Sequence, residues 1–266
     1  MKIGFIGAGH MAQAIMIGLC KQKYVATADI LVHSAHETSY QPFAAEHGLT
    51  AATSNAEIVT QADIVILAVP AAQTLDIVAS LQDELASHEP ILVSVAGGIS
   101  LAQLQENSDS TGLSIVRAMP NVNVAIGQGM TALVTSPITP TADFAQVEQL
   151  FQALGDTTPL AEKDFATFSA LAGSAPAYAY LFIDSLARAG VKYGLDKEIA
   201  TKIAAQTVLG SAANVAESST NPWGLIDQVS SPGGTTVAGL LAMEEAGLMT
   251  AVVKGIDATI AKENAE

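Results

Sequence analysis

Apolar residues fall along this chain in two successive patterns. In the first part, short continuous apolar runs at 3–6, 30–32, 64–69, 91–95 and 115–118 alternate with Ala-rich stretches of helical spacing. Runs of that length, bounded by Gly, Pro or polar residues, predict strands buried on both faces. Strands alternating with helices predict a parallel sheet covered on both sides. A further strand is predicted at 130–134 and a helix at 143–154. Beyond about residue 160 no strand pattern remains. Helices are predicted there at about 164–193, 197–219, 222–229 and 235–262, punctuated by Gly190, Gly194 and the Asn221-Pro222 pair. The fold class is α/β: an N-terminal Rossmann-type, doubly wound, mostly parallel sheet, followed by an all-helical C-terminal domain. The domains are read as 1–160 and 161–266, and they meet where the periodicity changes, with no internal repeat and no low-complexity linker.

Two apolar stretches bear on location. The first twenty residues carry one Lys and then many apolar residues, but Gly4, Gly7, Gly9 and Gly18 interrupt the run. A strand followed by a helix explains that pattern better than a signal peptide. Residues 165–183 are nearly free of charge but include Ser, Thr, Gly and Pro. They are read as a buried helix of a helical domain and not as a membrane span. The helices at 171–183 and 199–215 are apolar over most of their faces. A helix with so little polar face needs partners on several sides, and pairing with a second copy about a two-fold axis supplies them. A homodimer, or a larger assembly of dimers, is therefore expected.

Composition narrows the classes. The chain has 266 residues, half of them hydrophobic, enough for two domains or one large one. Net charge is −15, from 11 basic and 26 acidic residues, and Arg117 and Arg188 are the only arginines. With no Lys/Arg run, nucleic acid and anionic membrane surfaces are poor partners. A single cysteine, Cys20, excludes an internal disulfide and fits a reducing cytoplasm. The pair His33-x-x-His36 lacks a third ligand cluster, so these are read as polar loop residues and no metal is expected. No G-x-S-x-G occurs, and all five histidines lie in the first half, which leaves Ser-His-Asp hydrolysis without support.

Gly7-Ala8-Gly9-His10-Met11-Ala12 follows the first strand directly, a G-x-G-x-x-A dinucleotide fingerprint. Gly7 permits the tight turn, Gly9 lets the backbone reach a pyrophosphate, and Ala12 lets the helix pack on the strand. NAD sites usually carry an acid at the end of the second strand. Here that strand ends Val32-His33-Ser34-Ala35-His36, and Asp29 sits at the wrong end. The missing acid removes repulsion against a 2′-phosphate and leaves Ser34, His33 and His36 as donors. This favours NADPH, with NADH the alternative.

The run Ser230-Ser231-Pro232-Gly233-Gly234-Thr235-Thr236-Val237-Ala238-Gly239-Leu240 carries a different chemistry. The Pro-Gly-Gly turn permits φ > 0 and close backbone approach. A helix starting after it aims unpaired N–H groups and a positive dipole end at one spot, where a small carboxylate fits. The hydroxyls of Ser231, Thr235 and Thr236 add donors. An ordinary capped helix start, with Thr236 as N-cap, fits the same residues.

This run resembles the signature of pyrroline-5-carboxylate reductases, and the likeness covers nearly the whole chain. Its other landmarks, in order, are the 7–12 fingerprint, Ala96-Gly97-Gly98, Arg117-Ala118-Met119-Pro120-Asn121 and Gly173-Ser174-Ala175-Pro176-Ala177-Tyr178. The resemblance implies cofactor contacts at Gly7, Ala8, Gly9, His10, Met11, Ala12 and Ser34. It places Asn55 near the adenine ribose and Ala68, Val69, Ala96 and Asn121 along the cofactor. It also implies that Ser231, Gly233, Gly234, Thr235 and Thr236 hold the substrate carboxylate, with Thr236 at the ring nitrogen. Family members are intertwined dimers through the helical domain, with sites at the dimer interface. The implied reaction is reduction of 1-pyrroline-5-carboxylate to L-proline by NAD(P)H, the last step of proline biosynthesis. Protonating the imine nitrogen makes C5 electrophilic, so orientation and one hydrogen bond suffice, without nucleophile or metal.

Two positions depart from the family pattern. The usual Lys before Pro is replaced in Val69-Pro70-Ala71, and Met-Pro-Asn-Thr-Pro becomes Met119-Pro120-Asn121-Val122-Asn123. A catalytically silent NAD(P)-binding paralogue with a sensor or regulatory role is the alternative function; the missing Lys is its only support. β-Hydroxyacid dehydrogenases resemble the N-terminus but need a Lys acid/base soon after a glycine pair. Here none follows Gly173 until Lys192.

Overall fold

A computed structural model of the chain describes residues 1–110 and 112–263. The last positions assigned to the helical half, 264–266, lie outside the described residues. Contacts divide the chain after Gly173, so residues 161–173 pack with the sheet-bearing unit.

The first unit is built on eight strands. They are β1 (Ile3–Ile6), β2 (Ile30–His33), β3 (Thr50–Ala51), β4 (Ile64–Leu67), β5 (Ile91–Ser94), β6 (Ile115–Pro120), β7 (Gly129–Thr135) and β8 (Gly155–Pro159). Their order in the sheet is β3-β2-β1-β4-β5-β6-β7-β8. All neighbouring pairs are parallel except β6 and β7, which run antiparallel. The expected mostly parallel, doubly wound sheet is thus present, with β7 turned back along β6. Two corrections concern strand ends: the runs 64–69 and 91–95 leave the sheet at Leu67 and Ser94. β3 and β8 were not expected from the apolar pattern.

Seven helices cover the sheet: α1 (His10–Gln22), α2 (Glu37–His47), α3 (Asn55–Gln61), α4 (Ala71–Ala79), α5 (Gln82–His88), α6 (Leu101–Ser108) and α7 (Thr141–Gln152). Two apolar clusters form, one on each face. The first gathers Ile3, Phe5, Ile15, Leu19 and Phe151 from β1, α1 and α7; the second gathers Ile6, Ile58, Val65, Leu85 and Leu104 from β1, β4 and α3 to α6. A strand whose alternate residues enter both clusters must be apolar throughout, which is why β1 and β4 read as continuous runs.

A short helix α8 (Phe165–Phe168) and a π-helical turn (Ser169–Ser174) follow β8. Phe165 and Phe168 pack on Ala132 and Met130 of β7. Arg117, 6% exposed on β6, is held there by Glu162, with Nη1 to Oε1 at 2.5 Å and the guanidinium 4.8 Å above the Phe165 ring. The same Glu162 oxygen accepts the Leu101 N–H that opens α6, at 2.8 Å.

The second unit, from Ser174, holds α9 (Ala175–Lys192), α10 (Lys197–Glu217), α11 (Pro222–Gln228), α12 (Thr235–Glu245) and α13 (Leu248–Glu263). The single helix expected at 235–262 is two, because Gly247 takes φ +80 between them. α10 starts at a side-chain cap, Asp196 Oδ1 accepting from the N–H groups of Glu198 and Ile199. Asp184 of α9 takes hydrogen bonds from Lys197 and Arg188, and these hold its carboxyl below the ordinary carboxylate range. The expectation of a buried helix at 165–183 needs correcting for the single chain. The stretch Glu162–Lys192 is long and apolar enough to cross a membrane by length and composition, yet only 17% of its most apolar window is buried within the chain. Tyr180 and Leu181 are 58% and 68% exposed.

Candidate active site

The glycine fingerprint lies where the strand order reverses. β1 is flanked by β2 and β4, and Ile6, His33 and Leu67 stand level at their carboxyl ends. Such a crevice is where open α/β sheets bind nucleotides. Gly7 has φ +106, and a Cβ there would strike the Ala68 carbonyl oxygen. Its N–H donates to the His33 carbonyl at 2.8 Å, which ties the turn to β2. Gly9 is the N-cap of α1 and is exposed, with no atom within 4 Å of where its Cβ would stand. No side chain caps α1, so its first N–H groups are left without an intrahelical acceptor, a cradle that fits a pyrophosphate. Ala12 is fully buried against the sheet, as close helix packing requires.

The remaining expected cofactor residues share this edge. Ser34 follows β2, Asn55 opens α3, Ala68 and Val69 follow β4, Ala96 follows β5, and Asn121 follows β6. Asn55 sits behind the Ser54 cap, whose Oγ accepts the Glu57 N–H at 3.1 Å. Glu57 accepts the Thr53 hydroxyl and N–H and the Gln61 amide; the Thr53 bonds are the chief reason its carboxyl lies below the ordinary range. His33 Nδ1 is 2.6 Å from Asn55 Oδ1. Asn121 has a structural duty of its own. Its Oδ1 accepts the N–H groups of Asn123 and Met130, and its Nδ2 donates to the Ala172 carbonyl at 3.1 Å.

In the second unit the 231–236 loop closes as a tight turn. Gly234 N–H donates to the Ser231 carbonyl at 2.9 Å, and Gly233 takes φ +72. Gly234, with extended backbone and no side chain, is the N-cap of α12. Thr236 is therefore the second helical residue and not the cap, which corrects the capped-start reading. Thr235 and Thr236 are exposed, and no side chain caps the helix. The N–H groups of Thr235, Thr236 and Val237 have no intrahelical acceptor at such a start. One residue earlier, the Ser230 hydroxyl is enclosed without a hydrogen-bond partner among the described residues. The sequence reading assigned it nothing.

Local pattern also missed the His33–Asn55 and Arg117–Glu162 pairs, which lie 22 and 45 residues apart. Among the described residues no group of three or more His, Cys, Asp or Glu is placed to hold a metal ion.

Known proteins share this architecture. The family model for the pyrroline-5-carboxylate reductase dimerisation region matches residues 162–265, and that for NADP oxidoreductases, coenzyme F420-dependent, matches 2–98. A pyrroline-5-carboxylate reductase of Glycine max is 37% identical over 259 residues, 94% of this chain and 92% of that protein. The Streptococcus pyogenes 1-pyrroline-5-carboxylate reductase structure has 40% identity and a TM-score of 0.86, covering 100% of this chain and 99% of that one. The Plasmodium falciparum pyrroline carboxylate reductase, solved with NADP bound, has 29% identity and a TM-score of 0.87, covering 100% and 97%.

Proposed function

The chain belongs to the pyrroline-5-carboxylate reductase family, and we propose that it reduces 1-pyrroline-5-carboxylate to L-proline, with NADPH as reductant and NADH as the alternative cofactor. The observation that carries this reading is the joint presence of the open Gly7–Gly9 turn and the uncapped, exposed start of α12. The nicotinamide, when bound, supplies hydride; the chain's residues supply position.

The sheet edge from Gly7 to Ala12, with Ser34, Asn55, Ala68, Val69, Ala96 and Asn121, is the proposed cofactor surface. The loop of Ser231, Gly233, Gly234, Thr235 and Thr236 is the proposed substrate surface. Its free N–H groups and the dipole of α12 orient the substrate carboxylate. The Thr236 hydroxyl hydrogen-bonds the ring nitrogen and steadies its proton, which keeps C5 electrophilic. Because hydride is the nucleophile at this carbon, none is needed from the protein, and an uncharged loop of Gly, Ser and Thr is sufficient. The first half is thus the dinucleotide-binding domain and the helical half the dimerisation and substrate domain. Exposed apolar residues along α9, α10 and α13 support a homodimer through that half, and the single cysteine fits a reducing cytoplasm.

The test is consumption of NADPH and of NADH, measured separately, by purified protein with the cyclic imine. Turnover with NADPH is expected. Binding of NADPH without turnover would point to the silent paralogue.

A further inference from the structure

His33 ends β2, beside the point where dinucleotide folds place the group that reads the adenine ribose. Its Nδ1 stands 2.6 Å from Oδ1 of Asn55. That oxygen can only accept, so Nδ1 carries the shared proton. A carboxamide has one accepting and one donating end. With Oδ1 held by His33, the end left for a ligand is Nδ2, and no protein acceptor meets it among the described residues. Both partners are held in place. The imidazole lies edge-on to Tyr40, centroids 5.4 Å apart, and the Tyr40 hydroxyl donates to the Ala52 carbonyl at 2.9 Å. Asn55 is fixed as the first residue of α3 behind the Ser54 cap.

We infer that His33 sets nucleotide preference by fixing which end of the Asn55 carboxamide faces the ribose. As held, the ribose end of the groove presents donors, Asn55 Nδ2 and the Ser34 hydroxyl, while the neighbouring Glu57 carboxylate is taken up by Thr53 and Gln61. Donors suit the oxygens of a 2′-phosphate. The flipped carboxamide would present an oxygen, which repels a phosphate but accepts from a 2′-hydroxyl. The flip therefore discriminates NADPH from NADH, and His33, which need not touch the ligand, is a positioning residue. The inference rests on the nucleotide-binding reading of this edge.

Equilibrium titration of the whole protein with NADPH and with NADH, followed by nicotinamide fluorescence, tests it. His33→Phe keeps the aromatic contact with Tyr40 but removes the donor; His33→Ala gives the same reading if Phe disturbs folding. Either should cut the NADPH/NADH affinity ratio roughly fivefold, the worth of about one hydrogen bond. His33→Asn, whose Nδ2 takes the place of the imidazole Nδ1, should restore the ratio. In an Asn55→Ala background, His33→Phe should change it no further. A purely structural His33 would lower both affinities and the melting temperature together without moving the ratio, and that result overturns the inference. So does a lowered ratio in Asn55→Ala with none in His33→Phe. If Asn55→Ala moves neither affinity, the ribose end lies elsewhere, and the reading of this edge fails along with the role of His33.

Discussion

Thr236 is the second residue of α12, past the Gly234 N-cap, and its hydroxyl caps nothing. A side chain free of structural duty at a helix start is available to a ligand. Thr236→Val should therefore lower turnover with the imine about tenfold, the worth of roughly 1–2 kcal/mol of hydrogen bonding, while cofactor affinity and melting temperature stay near wild type. Unchanged kcat/KM would remove Thr236 from the reaction. Gly7 is the opposite case. Its φ of +106 disfavours any side chain, and a Cβ would meet the Ala68 carbonyl. Gly7→Ala should cost about 2 kcal/mol or more of stability, read by urea unfolding, and should weaken NADPH binding as well. The need for Gly at residue 7 was legible in the sequence because the turn announces itself in the G-x-G-x-x-A spacing. The His33–Asn55 and Arg117–Glu162 contacts were not legible, since each joins residues brought close only by the sheet.

Among the elements, the strands read correctly from sequence are those buried on both faces, where continuous apolar runs are unavoidable. β8 reads Gly155-Asp156-Thr157-Thr158-Pro159 and lies at the sheet edge, half exposed, so it carries no apolar signal. β3 has two residues, too few for any period. The break between α12 and α13 escaped notice because a Gly in an apolar helical pattern looks the same whether it continues the helix or ends it; here φ +80 ends it. The start of α6 and the segment after β8 depend on one carboxylate. Glu162→Gln would leave the buried Arg117 without its counter-charge and weaken the bond to Leu101 N–H. Breaking such a pair typically costs about 3 kcal/mol, so a fall of that order in unfolding free energy is expected. A change below about 0.5 kcal/mol would show the pair to be no stronger than a surface contact.

For the whole molecule, the two units bury apolar surface very unequally. The sheet-bearing unit has two extensive clusters, whereas among the described residues the buried cluster of the helical unit is Ala187, Ala200 and Ala204 with Ile183 and Leu186 packed on it. Tyr193, Ile199, Leu209, Met249 and Val252 remain well exposed. Helices with so small a core of their own would gain stability from a second copy, as proposed from the apolar faces of this half. Light scattering at micromolar concentration should give at least twice 27.3 kDa, and the melting temperature should rise with concentration. An active monomer would remove the interface. The most direct test of the central claim follows the hydride itself. With NADPH deuterated at nicotinamide C4 and the cyclic imine as substrate, the protein should yield one L-proline per NADPH consumed, with deuterium at C5 when the transferring face is labelled. NADPH bound but not consumed, or consumed without deuterated proline, would contradict it.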